Sequence, residues 1–304
     1  MSGPRRVLVT GGAGRTGSVL VPLLIDRGWD VCAPPSAELD LVDAASVDAA
    51  VDQMRPDAIV NLAAWNDLER CEADEAGARG VNAAAVGHLA RAADDAGAHL
   101  CHVSTDYVFD GEKGTPYVED DPVAPLSAYA RTKLAGEVAA GPDATVVRTA
   151  WLAGPNGAST VRAVLAAAAR PGQQLRYVAD QWSSPTSIVD LCPVLADLLD
   201  DRAPGLVHVV NAGAASRFEV AAHVLAEAGH DPARVEAVAA TDLSSPAGVR
   251  RPRATPLATH ELVARGHRAL RDWREAFSDL VREIVPSPVR AKRERAAGPG
   301  GARR

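Results

Sequence analysis

The chain has 304 residues, which suits one large or two modest domains and excludes a mini-protein that needs disulfide or metal staples. Apolar residues make up 47% and charged residues 23%, ordinary globular values that argue against wholesale disorder. Net charge is −7, divided as +5 on residues 290–304 and −12 on the remainder, and an acidic body is a poor nucleic-acid binder.

About 60 residues are alanine, and 29 of the 32 basic residues are arginine. This balance reads as a coding bias and leaves one question: why the few lysines (Lys113, Lys133, Lys292) and tyrosines (Tyr107, Tyr117, Tyr129, Tyr177) sit where they do. The four cysteines are widely spaced and read as small buried hydrophobes in a reducing compartment. The N-terminus lacks the apolar core of a signal peptide, and no window approaches the roughly 18 apolar residues of a membrane span. A soluble, cytoplasmic protein without membrane partners is expected.

Val7–Thr10 is an apolar run ended by glycines, hence a buried strand. Residues 16–27 place Leu20, Leu23 and Leu24 at helical spacing, and Gly28 stops them. A short strand at Val31–Ala33, a helix through Val47, Val51 and Met54, and a strand at Ala58–Val60 follow. A long helix over 76–96, a strand at Leu100–Val103, a helix over 127–140 and a strand at Thr145–Arg148 complete the first half. Strands alternating with helices predict an α/β fold, a doubly wound parallel sheet covered on both faces.

Beyond residue 155 the rhythm loosens. Helices are expected near 159–169, 187–200, 217–228 and 269–284, with a strand at Leu206–Val210. The predicted organisation is a dinucleotide-binding domain over 1–155 and a smaller substrate-binding lobe over 156–285, with one or two segments returning to the main sheet. An Arg-rich disordered tail over 286–304 is expected to follow.

Gly11-Gly12-Ala13-Gly14-Arg15-Thr16-Gly17 lies between the first strand and the first helix. Glycines allow a tight turn and let backbone N–H groups approach a pyrophosphate seated on the positive helix end. The strand–turn–helix context lifts this above a merely glycine-rich turn. The second strand ends in Ala33-Pro34-Pro35-Ser36, without the carboxylate that usually binds the ribose 2′-hydroxyl of NAD. Arg15 could face a 2′-phosphate, so NADPH is favoured over NADH.

Tyr129 and Lys133 stand four residues apart, on one face of the predicted helix. A nearby cation is expected to pull the phenol below its ordinary value of about 10, for donation to a carbonyl oxygen as hydride reaches the carbon. Ser104 and Thr105 end the fourth strand at the ligand-binding edge, where a hydroxyl can stabilise the same oxygen. The histidines show no metal-ligand spacing, and a catalytic metal is not expected.

These features together resemble the extended short-chain dehydrogenase/reductases, and more narrowly the dTDP-4-dehydrorhamnose reductase family. The resemblance rests on Leu39-Asp40-Leu41, on Arg55 through Ala64, and on Val81-Asn82. Its most specific stretch is Ser104 through Gly111, followed by Tyr129, Thr132 through Glu137, Arg148 through Trp151, Asp180-Gln181, Pro185-Thr186 and Arg251-Pro252.

The resemblance implies reduction of the 4-keto group of a nucleotide-linked 6-deoxyhexose. In it Tyr129 would be the proton donor, Lys133 its tuner and ribose holder, and Thr105 would orient the keto oxygen. Gly11, Gly14, Arg15, Thr16 and Gly17 would take the pyrophosphate region, Asp40 and Leu41 would flank the adenine, and Ala63, Ala64 and Trp65 would line the cofactor. Asp106, Tyr107 and Trp151 would contact the sugar nucleotide, with Trp182 as a further candidate border or a core aromatic. A homodimer is an admissible assembly.

The chain departs from the family pattern at Trp65, Ala153 and Arg253-Ala254-Thr255, which leaves the exact sugar open. Two other readings compete. A 4,6-dehydratase would resemble its relatives in placing Asp-Glu after the strand-end threonine, whereas Tyr107 follows Asp106 here; an epimerase would keep NAD tightly bound. A non-catalytic relative, similar to the regulatory subunit of methionine adenosyltransferase, would have no need for Thr105, Tyr129 and Lys133 together.

Overall fold

The computed structural model describes residues 4–170, 173–243, 245 and 248–285. In its first half the elements are β1 (Arg6–Thr10), α1 (Gly17–Asp26), β2 (Asp30–Cys32), α2 (Ala44–Met54), β3 (Ala58–Asn61), α3 (Leu68–Ala73), α4 (Glu75–Arg79), α5 (Ala85–Ala96), β4 (His99–Thr105), α6 (Ala128–Ala140) and β5 (Thr145–Thr149). They continue through β6 (Leu152–Ala153), α7 (Thr160–Ala168), β7 (Leu175–Val178), β8 (Trp182–Ser183), β9 (Thr186–Ser187), α8 (Ile188–Asp201) and β10 (Gly205–His208). The last are β11 (Asn211–Ala212), β12 (Ala215–Ser216), α9 (Arg217–Glu227), β13 (Val235–Val238), α10 (His260–Ala264), β14 (Leu270–Asp272) and α11 (Trp273–Ile284).

Six strands form one parallel sheet in the order β10-β5-β4-β3-β1-β2. Successive strand residues point to opposite faces, and both faces are apolar. Val7 and Val9 pack into one cluster with α1 and α8, while Leu8 and Ile59 pack into the other with α2 and α5. The chain winds outward from β1 to β2, then resumes on the other side of β1 at β3, so a crevice opens at the carboxyl ends of β1 and β3. The doubly wound architecture read from the sequence is therefore present.

A third cluster, centred on Trp273, Phe277 and Leu280, joins α7, α9 and α11 over the β7–β13 pair. β10 leaves this half of the chain and pairs with β5 in the main sheet. Residues 286–304, the expected tail, lie outside the described residues. No described helix is long and apolar enough to cross a membrane.

Three sequence expectations need correction. The helix over 76–96 is broken at Gly80–Ala84 by a π-helical turn, a local insertion common at functional sites. The last helix starts at Trp273, capped by Asp272, because residues 270–272 pair with β11 instead. Cys71, Cys101 and Cys192 are buried as expected, whereas Cys32 at the end of β2 is exposed.

Candidate active site

The glycine turn is shaped by close approaches. Gly11 has a φ of +67°, and a Cβ there would fall 2.8 Å from the Ala63 amide nitrogen. A Cβ on Gly17 would meet the Gly12 carbonyl oxygen at 2.3 Å. Thr16, at the start of α1, makes no side-chain cap, and the first turn carries no acid. An uncapped helix N-terminus lining a cleft is what a pyrophosphate takes, so the residues present fit a dinucleotide. Gly17→Ala must push the turn and helix apart. It is expected to abolish the thermal stabilisation by NADPH, worth about 2.7 kcal/mol at a hundredfold excess over Kd. A normal shift in a thermal-melt assay would overturn this.

The turn opens into a cleft of about 1090 Å³ between the sheet edge and the C-terminal half of the chain, lined by every candidate site residue named from the sequence except Trp182. Two side chains in it are already engaged. Arg15 donates to the carbonyls of Leu152 (3.3 Å) and Ala158 (2.9 Å), so its guanidinium bridges to the lobe rather than standing free for a 2′-phosphate. Asp40 accepts the Val42 N–H at 2.9 Å and shapes its own loop. Trp182 is half-buried in β8 and is not among the cleft-lining side chains.

α6 carries the Tyr/Lys pair, started by Ser127, whose hydroxyl accepts the Ala130 N–H. Contrary to the expected lowering, burial pushes the Tyr129 phenol well above its ordinary value, and the neighbouring Thr105 hydroxyl offsets this only partly. The reason lies in where the cation is held. Lys133 Nζ donates to Val103 O at 2.6 Å and lies 3.3 Å from His102 Nε2. Burial pulls Lys133 down to about 8, with Glu137 opposing. Tyr129 is thus a phenol over the whole neutral range, the form that can donate a proton.

The two strand-end hydroxyls divide their tasks. Ser104 donates to Glu137 at 2.5 Å, and Glu137 forms a two-point ion pair with Arg148 of β5. Thr105 stays beside Tyr129, and accepts the Tyr107 N–H at 3.2 Å.

Asp106 is buried, and its two oxygens accept from Thr105 (3.1 Å), from Ser183 of β8 (2.7 Å) and from Thr255. The departure at Arg253-Ala254-Thr255 thus ends in a hydroxyl that ties the loop to the sheet edge. Burial raises Asp106 from 3.8 to about 6, against the pull of these hydroxyls. Because the folded value exceeds the unfolded one, the native state holds the extra proton between about pH 4 and 6. Stability therefore falls as pH rises through that window, by up to about 3 kcal/mol. Asp106→Asn is expected to remove that slope, measured as the difference in unfolding free energy between the two proteins. A difference that stays constant from pH 4 to 7 would count against it.

Arg217 and Arg70 escape sequence reading, and Asn82, quoted there only within a matching stretch, gains its role here. Arg217, the first residue of α9, stacks 3.8 Å from the Trp151 ring centroid and donates to Thr160 Oγ1 at 2.6 Å. Trp151 itself sits at a φ of +41°, a strained backbone for a large residue and a mark of functional sites. A helix near 217–228 is expected from the sequence, and the structure starts it with a Ser216–Glu219 capping box, but nothing local aims Arg217 into the cleft. Asn82, in the π-helical turn, bonds both backbone groups of Trp65 (2.8 and 3.0 Å) and Thr132 Oγ1 (3.1 Å), coupling the Trp65 loop to α6. Arg70 covers the Trp65 ring at 3.4 Å. Among the described residues, no group of three or more His, Cys, Asp or Glu could hold a metal ion.

The chain is 39% identical over 287 residues to the dTDP-4-dehydrorhamnose reductase of Mycolicibacterium smegmatis, covering 92% of this chain and 86% of that one. It is 39% identical over 294 residues to the dTDP-4-keto-6-deoxy-D-glucose reductase of Streptomyces niveus, covering 94% and 96%. The crystal structure of the Bacillus anthracis dTDP-4-dehydrorhamnose reductase in complex with NADP superposes with a TM-score of 0.87 at 28% identity, covering 91% and 98%. With a family model matching residues 5–285, the chain belongs to the RmlD substrate binding domain family.

Proposed function

We propose that the protein is a nicotinamide-dependent reductase of the 4-keto group of a dTDP-linked 4-keto-6-deoxyhexose, soluble and cytoplasmic, with its cofactor domain within residues 1–155 and its substrate lobe within 156–285. The observation that carries this reading is the convergence of the open glycine turn, Thr105, Tyr129 and Lys133 on one cleft.

When bound, the reduced nicotinamide supplies hydride to the keto carbon. The chain's own residues do the rest. Tyr129 donates its proton to the keto oxygen, a role that suits a phenol kept protonated by burial. Thr105 orients that oxygen through its hydroxyl. Lys133 holds the nicotinamide ribose hydroxyls and compensates the charge left on Tyr129. Gly11, Gly14, Thr16 and Gly17 seat the pyrophosphate, with Arg15 closing the turn against the lobe. Asp40 and Leu41 flank the adenine, and Ala63, Ala64 and Trp65 line the nicotinamide side. On the sugar side, Tyr107, Trp151 and Arg217 face the substrate, and Asp106 acts from beneath by holding Thr105, Ser183 and Thr255 in register.

NADPH is the expected donor, since the end of β2 offers no carboxylate to repel a 2′-phosphate. A panel of dTDP-4-keto-6-deoxyhexoses assayed with NADPH and with NADH, following nicotinamide absorbance, tests the reading. Turnover with at least one sugar and a higher kcat/KM for NADPH is expected. Absence of turnover across the panel would overturn it.

A further inference from the structure

Behind the cleft a buried polar chain runs from β1 through β3 and β4 to α6: Thr10, Asn61, His102 and Lys133. Its proton positions follow from one backbone group. The Ala63 N–H can only donate, and it lies 3.1 Å from Asn61 Oδ1, so that atom is the amide oxygen. Thr10 Oγ1 donates to the same oxygen at 2.6 Å. The amide nitrogen of Asn61 therefore faces His102 Nδ1, 3.0 Å away, and Nδ1 must accept.

His102 is neutral, because burial pushes its pKa far down. Its one proton consequently sits on Nε2, which faces Lys133 Nζ at 3.3 Å. An ammonium has three hydrogens and no lone pair, so it would set N–H against N–H. A free amine accepts from Nε2–H, and can still donate to Val103 O at 2.6 Å.

We propose that Asn61 and His102 are positioning residues that bias Lys133 toward the free amine in the cofactor-free protein, so that binding the nicotinamide ribose draws in a proton. This rests on the reductase reading above. The proton comes from solvent and ends on Nζ, where the new ribose and Tyr129 contacts favour the charged form. Above about pH 8 the positive charge that faces Tyr129 is then completed only when the site fills.

The titratable groups around Lys133 fit this. β4 brings His102, and α6 itself brings Tyr129 and Glu137, the latter committed to Arg148 of β5. From α3, Glu72 takes the Ala128 N–H and Cys71 packs near Tyr129; from α4, Glu75 pairs with Arg131. On α5, His88 bonds Leu41 O and Arg91 pairs with Asp48 and Asp95. Lys133 lies near 8 in the free protein, so the uptake is expected above that pH.

Nitrogen-15 NMR of ring-labelled histidine, with His102 assigned through His102→Gln, reads the tautomer directly. A proton on Nε2 and none on Nδ1 is expected at pH 7; a proton on Nδ1 would overturn the proposal. Calorimetry of NADPH binding at about pH 8.5 in two buffers of different ionisation enthalpy reads the uptake, expected at up to roughly three quarters of a proton per site. Asn61→Asp accepts from Nδ1–H, turns the tautomer and offers Nε2 to an ammonium. It is expected to shrink the uptake and move the alkaline limb of kcat/KM up by about one pH unit or more. Should that variant not fold, His102→Gln, which keeps an N–H toward Nζ, is expected to retain the uptake and His102→Glu, which sets a carboxylate acceptor against the ammonium, to lose it. Loss in both or in neither would overturn the proposal. A wild-type protein that takes up the proton yet reduces no sugar would sink the substrate reading and leave this one standing.

Discussion

Tyr129→Phe is expected to lower kcat about 10²–10⁴-fold while leaving NADPH binding close to wild type. The substitution removes one oxygen from a side chain already packed in an apolar setting with Cys71, Ala78, Ala128 and Trp65, so the ring itself stays in place. Thr105 and Lys133 keep their positions through Tyr107 N–H, Val103 O and His102. What disappears is the proton that must reach the keto oxygen as hydride arrives. Steady-state kinetics paired with a binding titration checks this: lost turnover with retained binding supports the assignment. Unchanged turnover would place the proton donor elsewhere, with Tyr107, 6.2 Å from Tyr129 between ring centroids, as the next residue to test.

Glu137→Leu is expected to cost about 3–5 kcal/mol of stability, far more than a surface ion pair would. Glu137 and Arg148 are side chains exposed by 9% and 4%, joined by bonds of 2.9 and 2.7 Å. Removing the carboxylate leaves a buried guanidinium without its counter-charge and Ser104 without its acceptor. The pair also fastens α6, and with it Tyr129 and Lys133, to the ends of β4 and β5. Glu137→Leu should therefore lower kcat as well, through misplacement of the helix. Combining it with Arg148→Met replaces both charges and is expected to recover most of the loss in denaturant unfolding. A single-substitution cost below about 1 kcal/mol would show that water reaches the pair.

The first half of the fold was legible because its signals are local. Buried strands such as Val7–Thr10 read as apolar runs between turns, and helices such as α1 and α2 show their periodicity and stops within a dozen residues. The glycine turn and the Tyr129/Lys133 spacing are local as well, so the chemistry of the site could be read before its geometry. The lobe was less legible. Strands β6, just before it, and β8, β9, β11 and β12 within it span two residues each, too short to carry any periodicity, and they exist because a distant partner pairs with them. The π-helical turn left no signature either, since one inserted residue leaves the amphipathic pattern on both sides intact.

The sequence by itself determined the doubly wound sheet, the glycine turn and the Tyr129/Lys133 pair, each written in contiguous residues. The tertiary structure decided how those residues behave. It ties Arg15 to Leu152 and Ala158 and binds Asp106 to Ser183 and Thr255, and it sets His102 against Lys133. It also reverses the expected tuning of Tyr129, because ionisation depends on burial and on partners from other strands, and sequence spacing encodes neither. The rare tyrosine and lysine marked the site, and burial set their protonation.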